Sequence, residues 1–325
     1  MVSIKIAAVV IGRNEGERLV KCLKSIRSNV ISTVYVDSGS TDGSARAAER
    51  LGAHVVALDM AQPFTAARAR NEGLAAVKEL RPDISLIQFL DGDCELVDGW
   101  IEKAAQFISE RNDVAVVCGR RRELYPYTSI YNRLCDIEWD TLLGEAVACG
   151  GDSLVRAEAV AEVGGFCAQL IAGEEPELCV RLRERGWKIW RLDAEMTRHD
   201  AALTRFGQWW LRAVRCGYGM TEVAGLHWHS RSGIWKKEAM RCIVWGGVLP
   251  AFIILSALLY PVALVALLIY PLQICRVAIT RGPASSQSWS YAFFMTLAKF
   301  AEFQGVLKFC WRRLRHGTVE LIEYK

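Results

Sequence analysis

The sequence contains no Cys-x-x-Cys pair, although 11 of its 325 residues are cysteines. Cysteines at that spacing are typical of zinc sites and redox motifs, and dense disulfide frameworks belong to small secreted chains. Most of the cysteines stand among apolar residues, as Cys22, Cys118 and Cys179 do. We therefore expect reduced, buried thiols in a cytosolic domain rather than a zinc site or a disulfide framework.

Other features are missing as well, and each absence narrows the function. Neither charge sign dominates, with 40 Lys and Arg against 36 Asp and Glu. The basic residues are interleaved with acidic ones through the N-terminal part of the chain, which argues against nucleic acid as a partner. There is no internal repeat, which excludes solenoid and propeller architectures. We also expect no N-terminal signal peptide, since the apolar start through Ile11 leads directly into a polar loop.

Apolar runs alternate with helical patterns along the N-terminal part of the chain. The predicted strands cover residues 4–11, 33–36, 54–58 and 84–90, and a predicted helix covers residues 65–80. This βαβ series predicts an α/β fold with a doubly wound, mostly parallel sheet. Three strands end in polar loops that contain Asn14, Asp37 and Asp91, and we expect these loops to converge at one edge of the sheet.

Two carboxylates, Asp91 and Asp93, flank a glycine directly after the most apolar of these strands. Carboxylates on a tight turn favour a hard cation, Mg²⁺ or Mn²⁺, that keeps open positions for phosphate oxygens. The pair therefore indicates a nucleotide or another diphosphate as ligand. By itself the motif is equally compatible with a solvated acidic turn.

Several short motifs follow one another in a fixed order. They are Gly12-Arg13-Asn14-Glu15, Asp37-Ser38-Gly39-Ser40-Thr41-Asp42-Gly43, Ala69-Arg70-Asn71-Glu72-Gly73, Asp91-Gly92-Asp93, Gly150-Gly151-Asp152-Ser153, Val163-Gly164-Gly165-Phe166, Gly173-Glu174-Glu175-Pro176-Glu177 and Gly186-Trp187. With this ordered set the chain resembles a family-2 glycosyltransferase of the Rossmann-like GT-A fold. The resemblance covers about the first two hundred residues.

The resemblance implies roles in binding a nucleotide-sugar donor and a divalent metal ion. The donor-binding set is Asn14, Glu15, Asp37, Arg68 and Asp91, and the metal set is Asp93, Asp91 and His199. Asp37 would accept from the nucleotide base, Asp93 would ligate the metal, and Asp91 would face the ribose or the metal's waters.

Simpler interpretations stand beside these roles. Asp37 fits an Asx-turn that stabilises its own loop, and Asp42 fits an N-cap for the helix that begins near Ser44. A lone histidine such as His199 is often structural. Arg68 and Arg70 lie in an Ala-rich helical pattern, where a basic residue commonly forms part of a solvated face.

The candidate catalytic base lies in the acidic pair of Glu174 and Glu175. By resemblance the second member, Glu175, takes the proton of the acceptor hydroxyl, although the family more often has Asp there, which keeps Glu174 as the alternative. Pro176 favours a first helical turn, so both carboxylates are also ordinary helix-start residues. Arg181 and Arg183 are expected to form ion pairs with nearby Glu residues.

Processive members of the wider group carry a Gln-x-x-Arg-Trp motif after the base. The corresponding region here, residues 205–212, does not match it. We therefore expect the transfer of a single sugar.

Residues 242–275 carry no charge, and a helix of that length would extend about 51 Å against a hydrocarbon core of about 30 Å. Pro250, Pro261 and Pro271 interrupt the run, and Tyr260-Pro261 is a plausible turn between two helices. A helical hairpin places the basic flanks on one, cytoplasmic side, as the positive-inside rule requires. A single tilted span is the alternative.

Residues 289–315 combine apolar and aromatic residues with internal charges, a pattern typical of an in-plane amphipathic helix on anionic lipid. The aromatic residues between 206 and 235 either line an acceptor groove or pack an interfacial helix on the membrane. The mean hydropathy of +0.15 is high for a soluble protein. We thus expect a GT-A domain over residues 1–230 and a membrane-associated region over residues 231–325.

These features together predict a metal-dependent, inverting glycosyltransferase at the cytoplasmic face of the inner membrane. The expected donor is a UDP-sugar, and the expected acceptor is a lipid-linked or other glycan in polysaccharide or envelope biosynthesis. Two alternatives stay open: a non-catalytic membrane subunit with a degenerate GT-A domain, and a nucleotidyltransferase. The latter would need a basic triphosphate loop after the first strand, for which Gly12-Arg13-Asn14-Glu15 is a poor match.

Overall fold

The computed structural model describes residues 5–315, so residue 4, the predicted start of the first strand, lies outside the described residues. The chain divides into two compact units. The N-terminal unit comprises residues 5–128 with Cys135–Ala202, and the C-terminal unit comprises Ser129–Leu134 with residues 203–315. This division is geometric, and the domain boundary predicted at residue 230 stays a prediction.

The elements of the described chain are as follows. The strands are β1 (Ile6–Gly12), β2 (Ser32–Asp37), β3 (His54–Ala57), β4 (Leu86–Asp91), β5 (Cys94–Leu96), β6 (Val114–Glu123), β7 (Gly144–Ala146), β8 (Ser153–Arg156) and β9 (Lys188–His199). The helices are α1 (Glu17–Ile26), α2 (Ser44–Arg50), α3 (Ala66–Leu80), α4 (Trp100–Glu110), α5 (Ile130–Glu138), α6 (Ala157–Glu162), α7 (Glu174–Glu184), α8 (Phe206–Leu226), α9 (Lys236–Ile243), α10 (Leu249–Leu259), α11 (Ile269–Arg281) and α12 (Ser286–Arg315).

The strands of the N-terminal unit form one mixed sheet in the order β3-β2-β1-β4-β8-β6-β9-β5, with β7 paired to β9. The first four strands of this order are parallel, as the βαβ series predicts. β8 then runs antiparallel to both of its neighbours, β4 and β6. The predicted α/β fold class is confirmed.

Helices cover both faces of this sheet. α1 buries Leu19, Cys22, Leu23 and Ile26, the positions that recur at helical spacing. On the other face α3 comes so close to β1 that a Cβ at Gly73 would collide with the side chain of Val9. A glycine at this position is therefore needed for the close approach of helix and strand.

The register of the sheet positions the polar loops. Gly12 at the end of β1 stands beside Asp37 on one side, and its neighbour Ile11 stands beside Asp91 on the other. The loops after β1, β2 and β4 therefore meet at one edge, as expected.

β9 is the longest strand of the sheet, with 12 residues from Lys188 to His199. It continues to His199 because β6 pairs with it along this whole stretch and β5 pairs with its last residues. The apolar pattern stops at Asp193, but these neighbouring strands supply the backbone hydrogen bonds that keep the chain extended.

The C-terminal unit contains two apolar helices that meet at Tyr260-Pro261, the predicted turn. The first, Lys236–Leu259, has 24 residues, and the second, Pro261–Arg281, has 21 residues, so both are long enough to cross a membrane. The hydroxyl of Tyr270 donates to the carbonyl oxygen of Trp245 at 2.7 Å, which brings the second helix back alongside the first.

Only one of the three prolines predicted to break this run coincides with a helix end. Pro250 lies near the start of α10, directly after the π-helical turn Val244–Val248. Proline has no backbone N–H, and the wider π-helical turn allows the helix to continue through it. Pro271 lies in the first turn of α11, after the 3₁₀ helix Pro261–Leu268. Proline is tolerated at such positions, so the prediction for Pro250 and Pro271 was wrong.

Residues 289–315 are helical, as predicted, within the 30-residue helix α12. This helix packs closely on α8, because a Cβ at Gly217 of α8 would collide with the backbone of Glu302, and one at Gly305 with the backbone of Val214. Trp209 is 2% exposed and packs against Phe294 at 5.0 Å between ring centroids. Trp209 therefore belongs to the core of the C-terminal unit, and the two roles predicted for the aromatic region stay predictions.

Candidate active site

Asp91 ends β4 at the edge where the polar loops meet. Its backbone N–H donates to Asp152 Oδ1 at 3.1 Å, and its carboxylate accepts from Arg70 at 2.9 Å and Arg121 at 3.3 Å. Burial raises the pKa of Asp91, but the two guanidinium groups outweigh it and hold the pKa below its ordinary value. Asp91 is therefore an ionised carboxylate that is paired with two guanidinium groups.

Arg70 is buried, whereas the helical pattern predicted a solvated face. Its side chain is 2% exposed and lies 2.9 Å from Asp91 Oδ1, 2.8 Å from Glu174 Oε1 and 2.9 Å from Glu175 Oε1. Ala67, Ala69 and Gly73, all small and buried, let this face of α3 lie close to the sheet. The prediction failed because the small residues that indicate a solvated helix also permit close packing.

The acidic pair begins α7, with Pro176 in the first turn as predicted. Glu174 is 5% exposed and the side chain of Glu175 is 14% exposed. Burial and the neighbouring Glu174 raise the pKa of Glu175 to about 7, against the opposing effect of Arg70. A carboxylate that titrates near neutral pH is suited to accept a proton.

The rest of α7 is held by an ion pair that the spacing predicts. Arg181 binds Glu177 one turn earlier, at 2.7 Å between Nη2 and Oε2. The expected pairing is thus confirmed for Arg181. It fixes the helix that carries the acidic pair.

Asp93 and His199 form a second cluster beside Asp91. His199 Nε2 lies 3.2 Å from Asp93 Oδ2, and both residues are buried. The ring of Trp139 meets the His199 ring edge to face at 5.0 Å between centroids. The end of β9 therefore brings a histidine to the second carboxylate of the Asp91-Gly92-Asp93 turn.

The donor atoms of this cluster fit a divalent cation. Asp93, Cys94 and His199 each offer one ligand atom, and these atoms lie within 4.8 Å of one another. Burial raises the pKa of the Cys94 thiol well above its ordinary value. A thiol is also a soft ligand, which Mg²⁺ and Mn²⁺ do not favour. A carboxylate and an imidazole remain, a small protein contribution that leaves coordination positions for phosphate oxygens or water.

Asp152 fills a structural place near the same atoms. Asp152 is 1% exposed. Its Oδ2 accepts from the hydroxyl of Thr197 at 2.6 Å and lies 2.8 Å from Arg121 Nη2. Because its Oδ1 accepts from the Asp91 N–H, Asp152 holds the end of β4 in position.

The loops after β1 and β2 bind each other. Asn14 has a left-handed φ of 55°, and its Oδ1 accepts from the N–H of Thr41 at 2.8 Å. Asp37 Oδ2 accepts from the N–H groups of Gly39 and Ser40 at 3.2 and 2.9 Å, which is the Asx-turn arrangement that the sequence offers as the simpler interpretation. Its other oxygen accepts from the hydroxyl of Tyr35 at 3.1 Å.

Glu15 and Asp42 make further contacts in the loops after β1 and β2. Glu15 forms an ion pair with Arg18 at 2.7 Å, and a Cβ at Gly92 would lie 3.2 Å from Glu15 Cγ. Asp42 Oδ1 accepts from the N–H of Ser44, the first residue of α2, at 3.0 Å. The N-cap of this helix is Gly43, so the N-cap predicted at Asp42 was one residue too early.

The donor-binding role predicted for Arg68 stays a prediction. The Arg68 guanidinium donates to the carbonyl oxygens of Asp59, Gln62 and Pro63, at 2.8 to 3.1 Å. These bonds order the loop before α3. Two residues further along the same helix, Arg70 is the arginine that contacts Asp91 and the acidic pair.

Sequence reasoning also missed Arg121, Trp139 and Asp152. Arg121 is the middle of three consecutive arginines at the end of β6, and Asp152 closes the Gly-Gly-Asp motif that carries the resemblance. Arg121 and Asp152 therefore each lie in a sequence feature that could have identified them as site residues. Trp139 lies in no such feature, since it stands in an irregular segment after α5.

Comparison with known proteins agrees with this geometry. Residues 7–151 match the model of the family described as Glycosyl transferase family 2. Glycosyltransferase AglE of Haloferax volcanii is 26% identical over 225 residues, which cover 65% of this chain and 71% of that protein. The pre-mycofactocin glycosyltransferase of Mycobacterium tuberculosis is 26% identical over 265 residues, 77% of this chain but only 52% of that protein.

Among solved structures, mannosyltransferase PcManGT from Pyrobaculum calidifontis shares the fold. It superposes with a TM-score of 0.57 at 15% identity, over 95% of this chain and 88% of that one. The family match, the glycosyltransferase relatives and the shared fold all agree. Residues 7–151 therefore form a family-2 glycosyltransferase domain, and the sheet to which they belong has the GT-A fold.

Proposed function

We propose that this glycosyltransferase moves one sugar, with inversion and with the help of a divalent metal ion, from a nucleotide-sugar donor to a lipid-linked acceptor. The observation that carries the proposal is the position of Arg70 between Asp91 and Glu175, at 2.9 Å from each. The buried Arg70 guanidinium thus contacts both Asp91, at the strand end beside the candidate metal cluster, and Glu175, the candidate base.

Glu175 is the proposed base. As the acceptor oxygen bonds to the anomeric carbon, the bond from that carbon to the departing diphosphate breaks, and the hydroxyl proton passes to the Glu175 carboxylate. A base whose pKa is about 7 holds no proton in about half of the molecules at neutral pH and binds one strongly enough to help the transfer. Arg70 keeps this carboxylate oriented.

Asp93 and His199 would hold the metal ion, with Asp91 beside them. When bound, Mg²⁺ or Mn²⁺ would neutralise the charge that develops on the nucleoside diphosphate. PcManGT was solved in complex with GDP-Man and Mn²⁺, which supports testing Mn²⁺ first and GDP-sugars beside UDP-sugars.

The linked loops after β1 and β2 would receive the nucleoside. Asp37 Oδ2 already accepts two hydrogen bonds, but Oδ1, which accepts from Tyr35, has a second lone pair with which to accept from a base. Asn14 and Glu15 stand beside it at the same edge. In this role the Asx-turn positions Asp37 rather than competing with the donor.

The membrane placement rests on the two apolar helices and their flanks. Lys236, Lys237 and Arg241 precede the uncharged run, and Arg276 and Arg281 follow it. The folded-back arrangement of Trp245 and Tyr270 is compatible with a hairpin whose basic ends both face the cytoplasm. A catalytic domain held at a lipid surface favours a lipid-linked acceptor, as in polysaccharide or envelope biosynthesis.

The test is a donor screen on the full chain in detergent. UDP- and GDP-sugars are added with Mg²⁺, Mn²⁺ or a chelator, and both the thermal midpoint and the release of nucleoside diphosphate are measured. We expect one donor to stabilise the protein and to be slowly hydrolysed only when the metal is present. No binding of any nucleoside diphosphate would overturn the proposal and favour the non-catalytic subunit.

A further inference from the structure

A pair of thiols outside the proposed chemistry connects two parts of the active site. Cys149 Sγ and Cys179 Sγ lie 3.6 Å apart. Cys179 is fully buried on α7, and Cys149 is partly exposed in the segment before β8. The two sulfurs need to approach by only about 1.5 Å to reach the length of a disulfide bond, about 2.05 Å.

Each cysteine belongs to an element that carries site residues. Cys179 follows Glu175 by four positions, so both side chains stand on one side of α7. Cys149 precedes Gly151 by two positions, and a Cβ at Gly151 would lie 2.6 Å from Arg70 Nη2 and 2.8 Å from Asp91 Oδ2. The segment after Cys149 therefore fits tightly against the cation that joins Asp91 to Glu175.

We propose that Cys149 and Cys179 are a thiol modification site, where a low-molecular-weight disulfide such as glutathione disulfide produces an intramolecular disulfide that lowers transferase turnover. The partly exposed Cys149 thiolate attacks the small disulfide, which gives a mixed disulfide and releases one thiol. The Cys179 thiol loses its proton and attacks the Cys149 sulfur, which releases the second thiol. Two protein thiols are oxidised, and one small disulfide is reduced to two thiols.

The contact with Cys149 and burial raise the pKa of Cys179 well above its ordinary value, so the more exposed Cys149 is the thiol that reacts first with the small disulfide. Burial, together with the neighbouring Cys149, raises the pKa of a third thiol, Cys118, to about 12. Cys179, at 3.6 Å, is the partner that the geometry selects.

The disulfide would draw the Gly151 segment and α7 together. A displacement on the order of 1 Å at a catalytic group is enough to reduce turnover on the order of 10²-fold. We expect a loss of about 10- to 100-fold that dithiothreitol reverses. This consequence, unlike the cross-link itself, rests on the base role proposed for Glu175.

The experiment uses the full chain, reduced and then incubated with glutathione disulfide in detergent. Free thiols are alkylated, and peptide mapping by mass spectrometry locates the cross-link, while turnover is followed in parallel. We expect a Cys149–Cys179 cross-link in the native chain and in the matched control Cys118→Ser. We expect no cross-link, and turnover insensitive to the oxidant, in Cys149→Ser and in Cys179→Ala.

A cross-link to Cys118, no cross-link at all, or a cross-link without loss of turnover would overturn the proposal. Two variants are used so that poor folding of one does not decide the result. Because peptide mapping needs no turnover, a reduced protein without transferase activity would count against the proposed function and leave the cross-link result intact.

Discussion

Arg70 Nη1 lies 2.9 Å from Oε1 of Glu175, inside the protein and with only 2% of the arginine side chain exposed. The guanidinium opposes the burial that raises the pKa of this carboxylate. Its removal would leave Asp91, Glu174 and Glu175 without their shared cation. The behaviour of Arg70 variants is therefore the most direct test of the site.

In Arg70→Met we expect the pKa of Glu175 to rise above about 7, so that the turnover that depends on an ionised Glu175 begins only at higher pH. We also expect a lower thermal midpoint, because breaking a buried ion pair costs on the order of 3–5 kcal/mol. A pH–rate profile and a thermal melt measure the two effects.

Arg68→Met is the matched control, since Arg68 lies on the same helix, two residues before Arg70, and bonds only to loop carbonyls among the hydrogen bonds described. It should leave the pH–rate profile in place. A profile that shifts equally in both variants would show that Arg70 has no special relation to Glu175.

Glu175→Gln keeps the size of the side chain but removes its basicity. We expect turnover to fall on the order of 10²–10⁴-fold, with nucleoside-diphosphate affinity nearly unchanged because the donor contacts lie elsewhere. Glu174→Gln should cost less, and steady-state kinetics with calorimetric binding separate the two variants. A nearly normal Glu175→Gln beside an inactive Glu174→Gln would move the base to Glu174.

The same raised pKa makes a prediction about stability. Between the ordinary value of 4.5 and about 7, folded Glu175 holds a proton that the unfolded chain has released. The folded state binds more protons in this window, so its stability falls as the pH rises from 4.5 to 7. Relative to Glu175→Gln, the native chain should lose thermal midpoint across this window, and a constant difference would contradict the raised pKa.

Asp93→Ala should abolish metal-dependent donor binding while the fold stays intact, because it removes a proposed ligand and leaves only a small space beside His199. The binding of Mn²⁺, measured by electron paramagnetic resonance, and the metal-dependent change in thermal midpoint are the readouts. Asp42→Ala, which loses a contact with the first N–H of α2, serves as control. Undiminished metal-dependent transfer in Asp93→Ala would exclude this residue as a ligand.

Much of the site follows from local sequence signals. Asn14, Asp37 and Asp91 follow apolar runs, and parallel strands bring the residues after such runs to one edge. The start of α7 at the acidic pair is equally local, because Pro176 and the carboxylates favour a first turn. These parts of the site are determined by residues that are adjacent in the sequence, so they can be predicted from it.

The burial of Arg70 and the direction of Arg121 depend instead on tertiary pairing. Arg70 lies at the centre of the site because Glu174 and Glu175, about a hundred residues later, supply its counter-charges. Around Arg121 the pairing of β6 with β9 shifts register between Cys118 and Arg120 and again between Arg120 and Arg121. Such bulges redirect side chains, so strand alternation alone does not select one arginine of three.

The last prediction concerns the two apolar helices. If they form a hairpin in the membrane, Glu238 and Thr280, exposed residues at the outer ends of the pair, lie on the same cytoplasmic side. Glu238→Cys and Thr280→Cys keep the flanking Lys and Arg residues that set the orientation. They are made in a chain whose exposed Cys216 and Cys310 are replaced by serine.

In intact cells an impermeant maleimide should label neither position until the membrane is opened. Tyr260→Cys, at the 70% exposed turn between the helices, serves as the reference. Labelling of this position from outside indicates a hairpin that crosses the bilayer, and protection indicates one that stays within it. Labelling of Glu238→Cys and Thr280→Cys from opposite sides would replace the hairpin with a single span, because only a chain that crosses once separates its two basic flanks.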